Sequence, residues 1–159
     1  MKNTCDLYDE FGDQLRVIAP VFTDFGKKTA FHGRAVTIKC FEDNSRIKEL
    51  VNTPGNGQVL VIDGGGSTRC ALFGDVIAQE ALQNGWAGTI VYGCVRDKAT
   101  LRTIDLGIKA LAATPRKSIK KGEGQVNLPI CIEGVVCNPG DYVVADEDGV
   151  VIAAPGLIP

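Results

Sequence analysis

The stretch from Val59 to Asp97 limits what this chain can become. A four-residue apolar run, Val59-Leu60-Val61-Ile62, is followed by Asp63 and three glycines. A helical segment then starts near Gly74-Asp75 and stops at Asn84-Gly85, and a β-branched run, Thr89-Ile90-Val91-Tyr92, leads into Gly93-Cys94-Val95-Arg96-Asp97. Strand, helix and strand within so short a span make a βαβ unit with a parallel strand pair. Neither strand alternates cleanly, so both faces of the sheet are expected to be covered. Ligands of such sheets sit beyond the carboxyl ends of the strands, which places the expected site at Asp63–Gly66 and Arg96-Asp97.

The chain of 159 residues is long enough for one domain with a real core and too short for two ordinary ones. A net charge of −2 and a pI near 5.4 give no electrostatic footprint for nucleic acid. The one basic run, Arg116-Lys117-Ser118-Ile119-Lys120-Lys121, is read as a solvated loop. No segment reaches the roughly 20 apolar residues of a membrane span. The acidic start, MKNTCDLYDEF, lacks the apolar stretch of a signal peptide, so a cytoplasmic location is expected.

The six cysteines include no C-x-x-C pair, which disfavours zinc-ribbon and thioredoxin chemistry and suits reduced, buried thiols. Cys70 and Cys94 flank the expected site, but a Cys–His pair would have to use the single histidine, His32, which reads as a polar residue at a strand edge. With one histidine, a metal here must be held mainly by oxygen, which suits magnesium or manganese.

Around the central unit the pattern predicts a helix over 4–11 with Thr4 as its cap, a strand over 33–41, and a helix from Asn44-Ser45 to Val51. After Asp97 it predicts a short helix over 98–102 and a strand over 108–113. Three terminal strands follow, over 126–132, 141–145 and 150–153, joined at Asn138-Pro139-Gly140 and Asp148-Gly149. Nothing divides the chain into domains.

Three local features carry chemistry. Asp63-Gly64-Gly65-Gly66-Ser67 follows a strand but matches neither G-x-G-x-x-G nor a Walker A loop; it is an anion-binding nest or simply a strand-to-helix turn. Gly74-Asp75-Val76-Ile77 opens a helix whose free N–H groups suit a carboxylate, with Asp75 as an alternative N-cap. Arg96-Asp97 supplies a guanidinium fork for a carboxylate and an acid for a hard cation. The βαβ geometry brings Asp75 and Arg96-Asp97 to one sheet end, so that a cation, a guanidinium and helix N–H groups would surround one small anion.

Gly74-Asp75 followed at that spacing by Arg96-Asp97 resembles the RraA-like family, which includes regulators of ribonuclease activity and class II 4-hydroxy-4-methyl-2-oxoglutarate aldolases. Phe41-Glu42-Asp43-Asn44, Val61 to Ser67, Val91-Tyr92-Gly93, Asp105 to Leu111 and Pro139-Gly140-Asp141 extend the likeness over nearly the whole chain. The resemblance implies an α/β fold of the β/β/α swivelling-domain type, assembled as a homotrimeric ring, alone or as a pair of rings, with sites between subunits. It implies that Asp97 holds a divalent cation, Mg2+ or Mn2+, partly through waters. Arg96 would bind the keto-acid part of a small 2-oxo acid, the N–H groups of Gly74 to Ile77 its carboxylate, and Asp75 a water used in proton transfer.

The implied activity is retro-aldol cleavage to pyruvate through an enolate, with oxaloacetate decarboxylation as a second activity. Ribonuclease-regulating members commonly lack the acid after the arginine; this chain keeps Asp97. The alternative is a non-catalytic protein that binds and inhibits a ribonuclease. Some relatives carry a methyltransferase label, but no glycine fingerprint for S-adenosylmethionine is present. A lysine Schiff base on Lys98, Lys109 or Lys117 is the rival aldolase chemistry.

Overall fold

The computed structural model describes residues 1–159. In chain order the elements are α1 (Thr4–Phe11), β1 (Arg16–Val17), β2 (Thr23–Asp24), β3 (Phe31–Lys39), α2 (Ser45–Val51), β4 (Val59–Asp63), β5 (Ala71–Phe73), α3 (Asp75–Gln83), β6 (Gly88–Val95), α4 (Lys98–Leu101), β7 (Gly107–Ala113), β8 (Gln125–Val126), β9 (Ile130–Ile132), β10 (Val135–Cys137), β11 (Tyr142–Asp146) and β12 (Gly149–Ala153).

One mixed sheet runs β1-β12-β11-β3-β4-β6-β7-β2, with β5 added to β6 and β8 to β3; β9 and β10 form a separate hairpin. Strands β3, β4, β6 and β7 are mutually parallel, and the expected βαβ unit is β4-α3-β6 with direct pairing from Val59↔Gly88 to Asp63↔Tyr92. Strand β3 joins two regimes. Its first half, Phe31 to Arg34, pairs antiparallel with β11, and its second half, Ala35 to Lys39, pairs parallel with β4. The sheet therefore passes from an antiparallel wing to a parallel centre along one strand.

All five residues of β4 are buried, and they alternate between two cores. Leu60 and Ile62 pack with Ile47 and Val51 of α2, Ile77, Ala78 and Ala81 of α3, and Leu101 of α4. Val59 and Val61 pack on the opposite face with Ile130, Ile132, Val143 and Ile152. Covering both faces is what an uninterrupted apolar strand demands. Helices α2, α3 and α4 thus lie on one face, and their starts gather at the carboxyl end of the parallel strands.

Several boundaries differ from expectation. Asn3, not Thr4, caps α1, its side chain accepting from the Asp6 N–H at 2.8 Å. Thr4 instead donates through N and Oγ1 to Asp146, both at 2.7 Å, tying α1 to β11. The run 126–132 divides into β8 and β9, separated by Asn127 in left-handed backbone. β10 then returns through a turn at Glu133-Gly134, both at positive φ. The strand β5 was not foreseen. No helix is long and apolar enough to cross a membrane.

Candidate functional site

At the carboxyl end of β6 the chain leaves the sheet through Arg96 and Asp97. In a continuing strand these neighbours would point to opposite faces. Asp97 instead adopts left-handed backbone, φ 61° and ψ 41°, which turns its side chain to the same side as that of Arg96. Asp is one of the few residues that tolerate this region, and such outliers concentrate at functional sites. Asp97 also occupies the N-cap position of α4, yet its carboxylate makes no capping hydrogen bond. A stabilising contact that Asp ordinarily makes at this position is absent, and the carboxylate remains available.

Both side chains lie on Gly74. A Cβ at Gly74 would stand 3.1 Å from Arg96 Cγ and 3.2 Å from Asp97 Oδ2, so a larger residue here would press on both side chains. Gly74 is the N-cap position of α3 and has no side chain with which to cap it. The first main-chain bond of the helix runs from Ala78 N to Gly74 O at 2.9 Å. Of the N–H groups before it, that of Val76 donates to Asp75 Oδ1 at 2.8 Å. The start of the helix lines the cleft, and its partial positive end favours an anion there.

These residues line one cleft of about 220 Å³, together with Asn44, Lys48, Ala71, Phe73, Lys117, Ser118 and Lys120. Thus Gly74, Asp75, Val76, Ile77, Arg96 and Asp97 come together as the spacing predicts. Arg96 Nε is shielded from solvent and has no hydrogen-bond acceptor. Asp97 Oδ2, at 3.7 Å, is an ion-pair neighbour but too distant for a hydrogen bond. A guanidinium N–H left this way costs free energy that a ligand oxygen would recover.

The oxygen-only donor set tests whether a metal suits the cleft. Nowhere in the chain do three His, Cys, Asp or Glu side chains converge as a metal cage. Only Asp75 and Asp97 offer carboxylates to the cleft. That fits a hard cation of the magnesium type, which keeps several waters and takes one or two protein carboxylates beside substrate oxygens. It does not fit zinc or a thiolate-bound metal.

Other candidates fall away from this place. The triple glycine is a turn, not a nest: Gly64 N and Gly66 N both donate to Tyr92 O at 3.1 Å, and Gly65 N donates to Asp63 Oδ1 at 2.9 Å. Its N–H groups are consumed, and Asp63–Gly66 do not line the cleft. Cys70 and Cys94 are buried and outside it, and burial pushes both thiols up. His32 is exposed on β3, and its Nδ1 lies 2.8 Å from Tyr142 Oη. Lys109 is buried in the middle of β7 with its ammonium 2.9 Å from Asp24 Oδ1, and Lys98 lies over the Phe25 ring. Of the three lysines considered for a Schiff base, only Lys117 reaches the cleft.

The basic run is where sequence reading fell short. Lys117, Ser118 and Lys120 form a wall of the cleft, and Lys48 of α2 joins them. The loop that carries them is held by Asp43, which is 2% exposed. Asp43 Oδ1 accepts from Ser45 N and Oγ, and Oδ2 accepts from Lys121 N at 2.7 Å and Glu123 N at 3.2 Å. Burial pushes this carboxyl up, but these hydrogen bonds outweigh it and hold it at about 2. Ala71 N also donates to Arg116 O at 2.8 Å, fastening the loop to β5.

The relatives of this chain agree with its geometry. Residues 3–152 match the RraA-like family, Aldolase/RraA. A protein of Alkalilimnicola ehrlichii is 54% identical over 98% of this chain and 96% of its own length, and bears the provisional name 4-hydroxy-4-methyl-2-oxoglutarate aldolase. A Laribacter hongkongensis protein of the same provisional name is 50% identical over 98% of each chain. Among solved structures, the RNA-processing inhibitor RraA of Thermus thermophilis superposes with a TM-score of 0.94 at 42% identity, covering 99% of this chain and 98% of its own. A Geobacillus kaustophilus HTA426 protein, described as S-adenosylmethionine: 2-dimethylmenaquinone methyltransferase, superposes at 0.95 with 44% identity and the same coverage. With a matching family model over nearly its full length and half its residues shared with such relatives, this chain belongs to the RraA-like (Aldolase/RraA) family.

Proposed function

We propose that this protein is a divalent-cation-dependent carbon–carbon lyase that cleaves 4-hydroxy-4-methyl-2-oxoglutarate to pyruvate and decarboxylates oxaloacetate by the same enolate chemistry. The observation that carries the reading is the convergence of Arg96, Asp97, Asp75 and the open start of α3 in one cleft. The names of the relatives support the substrate class.

Asp97 would hold the cation, Mg2+ or Mn2+, with Asp75 near its water shell. When bound, that cation supplies Lewis-acid chemistry at the 2-oxo group and adjoining carboxylate. The N–H groups at the start of α3 bind the 1-carboxylate. Arg96 sets its guanidinium against the C2 oxygen, where negative charge grows as the C3–C4 bond breaks. Asp75 positions a water that takes the proton from the 4-hydroxyl. The C4–O bond becomes a carbonyl, the C3–C4 electron pair passes into the pyruvate enolate, and a proton returned to C3 completes pyruvate. In oxaloacetate the departing group is carbon dioxide and the enolate is the same.

We further propose that the working unit is a homotrimer with the cleft at the subunit boundary. The exposed Val76 at the cleft lip and Ile119 on the lysine loop are apolar surface that such packing would cover. The second reading, a ribonuclease-binding regulator, draws on the likeness to the Thermus inhibitor. A methyltransferase is disfavoured because the glycine loop after β4 uses its N–H groups internally.

The test is pyruvate release from oxaloacetate and from 4-hydroxy-4-methyl-2-oxoglutarate with magnesium, for the wild type and for Asp97→Ala and Asp97→Asn. Asn keeps the left-handed backbone at low cost, so the fold is retained. Activity in either variant close to wild type removes Asp97 from the mechanism, and activity that survives a chelator removes the metal. A ribonuclease pull-down on the same preparation separates the regulator.

A further inference from the structure

Three lysines line the cleft with Arg96: Lys48 from α2, and Lys117 and Lys120 from the loop after β7. None of them belongs to an ion pair. They crowd one another. The charge of Lys48 foremost, with partial burial and Lys117 behind it, holds the Lys120 amine below its ordinary value. With Arg96 the cleft carries four cations against the two carboxylates Asp75 and Asp97, in a chain whose net charge is −2.

Like charges do not gather without cost, and nothing in the fold requires these three to meet. Lys48 stands on the last turn of a short helix, where solvent is open to it, yet its charge falls on the loop rather than on a neighbouring glutamate. The loop is also fixed rather than free. Asp43 holds it at Lys121 and Glu123, Gly122 N donates to Ser45 Oγ, and Arg46 donates to Gly122 O. Lys117 and Lys120 are therefore presented at the cleft wall from a pinned main chain.

We propose that Lys48, Lys117 and Lys120 form the subsite for a second carboxylate, at the end of the substrate remote from its 2-oxo acid group, and so select dianionic over monoanionic 2-oxo acids. The inference rests on the lyase reading for the near end of the substrate: the α3 start and Arg96 are used by the first carboxylate and the oxo group. The far carboxylate then meets the uncompensated lysines. In 4-hydroxy-4-methyl-2-oxoglutarate that group leaves on the second pyruvate, so the lysines also hold the departing half during cleavage.

The experiment compares the wild type with Lys48→Gln/Lys120→Gln and Lys117→Gln, and with Lys-to-Arg counterparts. The substrates are 4-hydroxy-4-methyl-2-oxoglutarate, a dianion, and 4-hydroxy-2-oxopentanoate, a monoanion with the same reacting carbons. The Gln variants are expected to lose about tenfold or more in kcat/KM on the dianion, mainly through KM. The monoanion is expected to change by less than about twofold, and Arg to restore the dianion. The dianion preference of the wild type should also shrink as salt rises.

Equal losses on both substrates, or no loss on either, overturn the proposal. Calorimetric binding of 2-oxoglutarate and 2-oxobutanoate, with magnesium present, separates this from the lyase reading. If the wild type turns over nothing but prefers 2-oxoglutarate, and the Gln variants lose that preference, the subsite stands and the lyase reading fails. No preference in the wild type defeats the subsite.

Discussion

Replacing Asp43 by Asn changes one buried atom and should be felt in both stability and pH dependence. The carboxylate, 2% exposed, accepts four hydrogen bonds, two at each oxygen. An amide can present only one accepting edge. Its Nδ2 must face either the Ser45 N–H or the N–H groups of Lys121 and Glu123, donor against donor. Losing at least one bond, setting a donor against a buried N–H and removing the charge from the bonds that remain cost about 3 kcal/mol. For a chain of this length that corresponds to a fall in Tm of about 10 °C.

The acid limb gives the sharper test. In the unfolded chain the carboxyl titrates at 3.8, and in the folded protein it is held at about 2. A depressed carboxyl contributes stability that is present above 3.8 and is lost as pH falls through about 2. At about 1.4 kcal/mol per pH unit the contribution is about 2 kcal/mol at neutral pH. It has fallen by about 1 kcal/mol at pH 3. Asn lacks this titration, so the stability gap between wild type and variant should narrow by that amount. Urea unfolding at fixed protein concentration, at pH 7 and pH 3, measures it; other low-titrating acids such as Asp146 cancel in the difference. A gap that stays constant with pH, or a variant as stable as the wild type at pH 7, refutes the assignment of Asp43 as the clasp of the lysine loop.

Two further changes separate site from scaffold. Gly74→Ala places a methyl 3.1 Å from Arg96 Cγ and 3.2 Å from Asp97 Oδ2. It should lower kcat/KM by about tenfold or more while Tm moves by only a few degrees, because small displacements of positioned groups are costly to rate; unaltered kinetics would refute the close fit. Lys109→Met leaves Asp24 without its 2.9 Å partner and should cost about 3 kcal/mol in urea unfolding. Its specific activity at low temperature should nevertheless match the wild type, and activity lost in a folded variant would return Lys109 to the chemistry.

What the sequence disclosed follows from which interactions are local. The β4-α3-β6 unit is legible because apolar runs, Gly74 and Asn84-Gly85 signal starts and stops within a few residues, and the observed bounds agree closely. That unit brings Asp75, Arg96 and Asp97 to one sheet end, and the pairing of β5 with β6 at Phe73↔Val95 sets Gly74 beside Arg96. The lysine wall is not legible in this way, since Asp43 fixes the loop through bonds that span 78 and 80 residues of chain. Within a local window Arg116 to Lys121 is only a charged, aperiodic stretch. The triple glycine misled for the opposite reason: its composition fits a nest, and only the carbonyl of Tyr92, on the neighbouring strand, shows that the N–H groups are taken. Strand β5 is three residues long and pairs with β6 across a register shift, too little periodicity to read.

The two halves of the cleft are therefore specified in different ways, and this bears on how its chemistry could vary among relatives. The Arg96-Asp97 half is written into one turn. A left-handed Asp97 at the end of β6 puts two consecutive side chains on one side, and Gly74 makes room for both. A change at Asp97 costs no capping bond, because none is made. The lysine half belongs to a loop held by main-chain bonds to a single carboxylate. Those bonds constrain the path of the loop and leave the side chains of Lys117, Ser118 and Lys120 free to be exchanged. A fold arranged this way can keep the Arg96-Asp97 turn and alter which ligand the cleft would admit by substituting loop side chains, provided that Asp43 is retained.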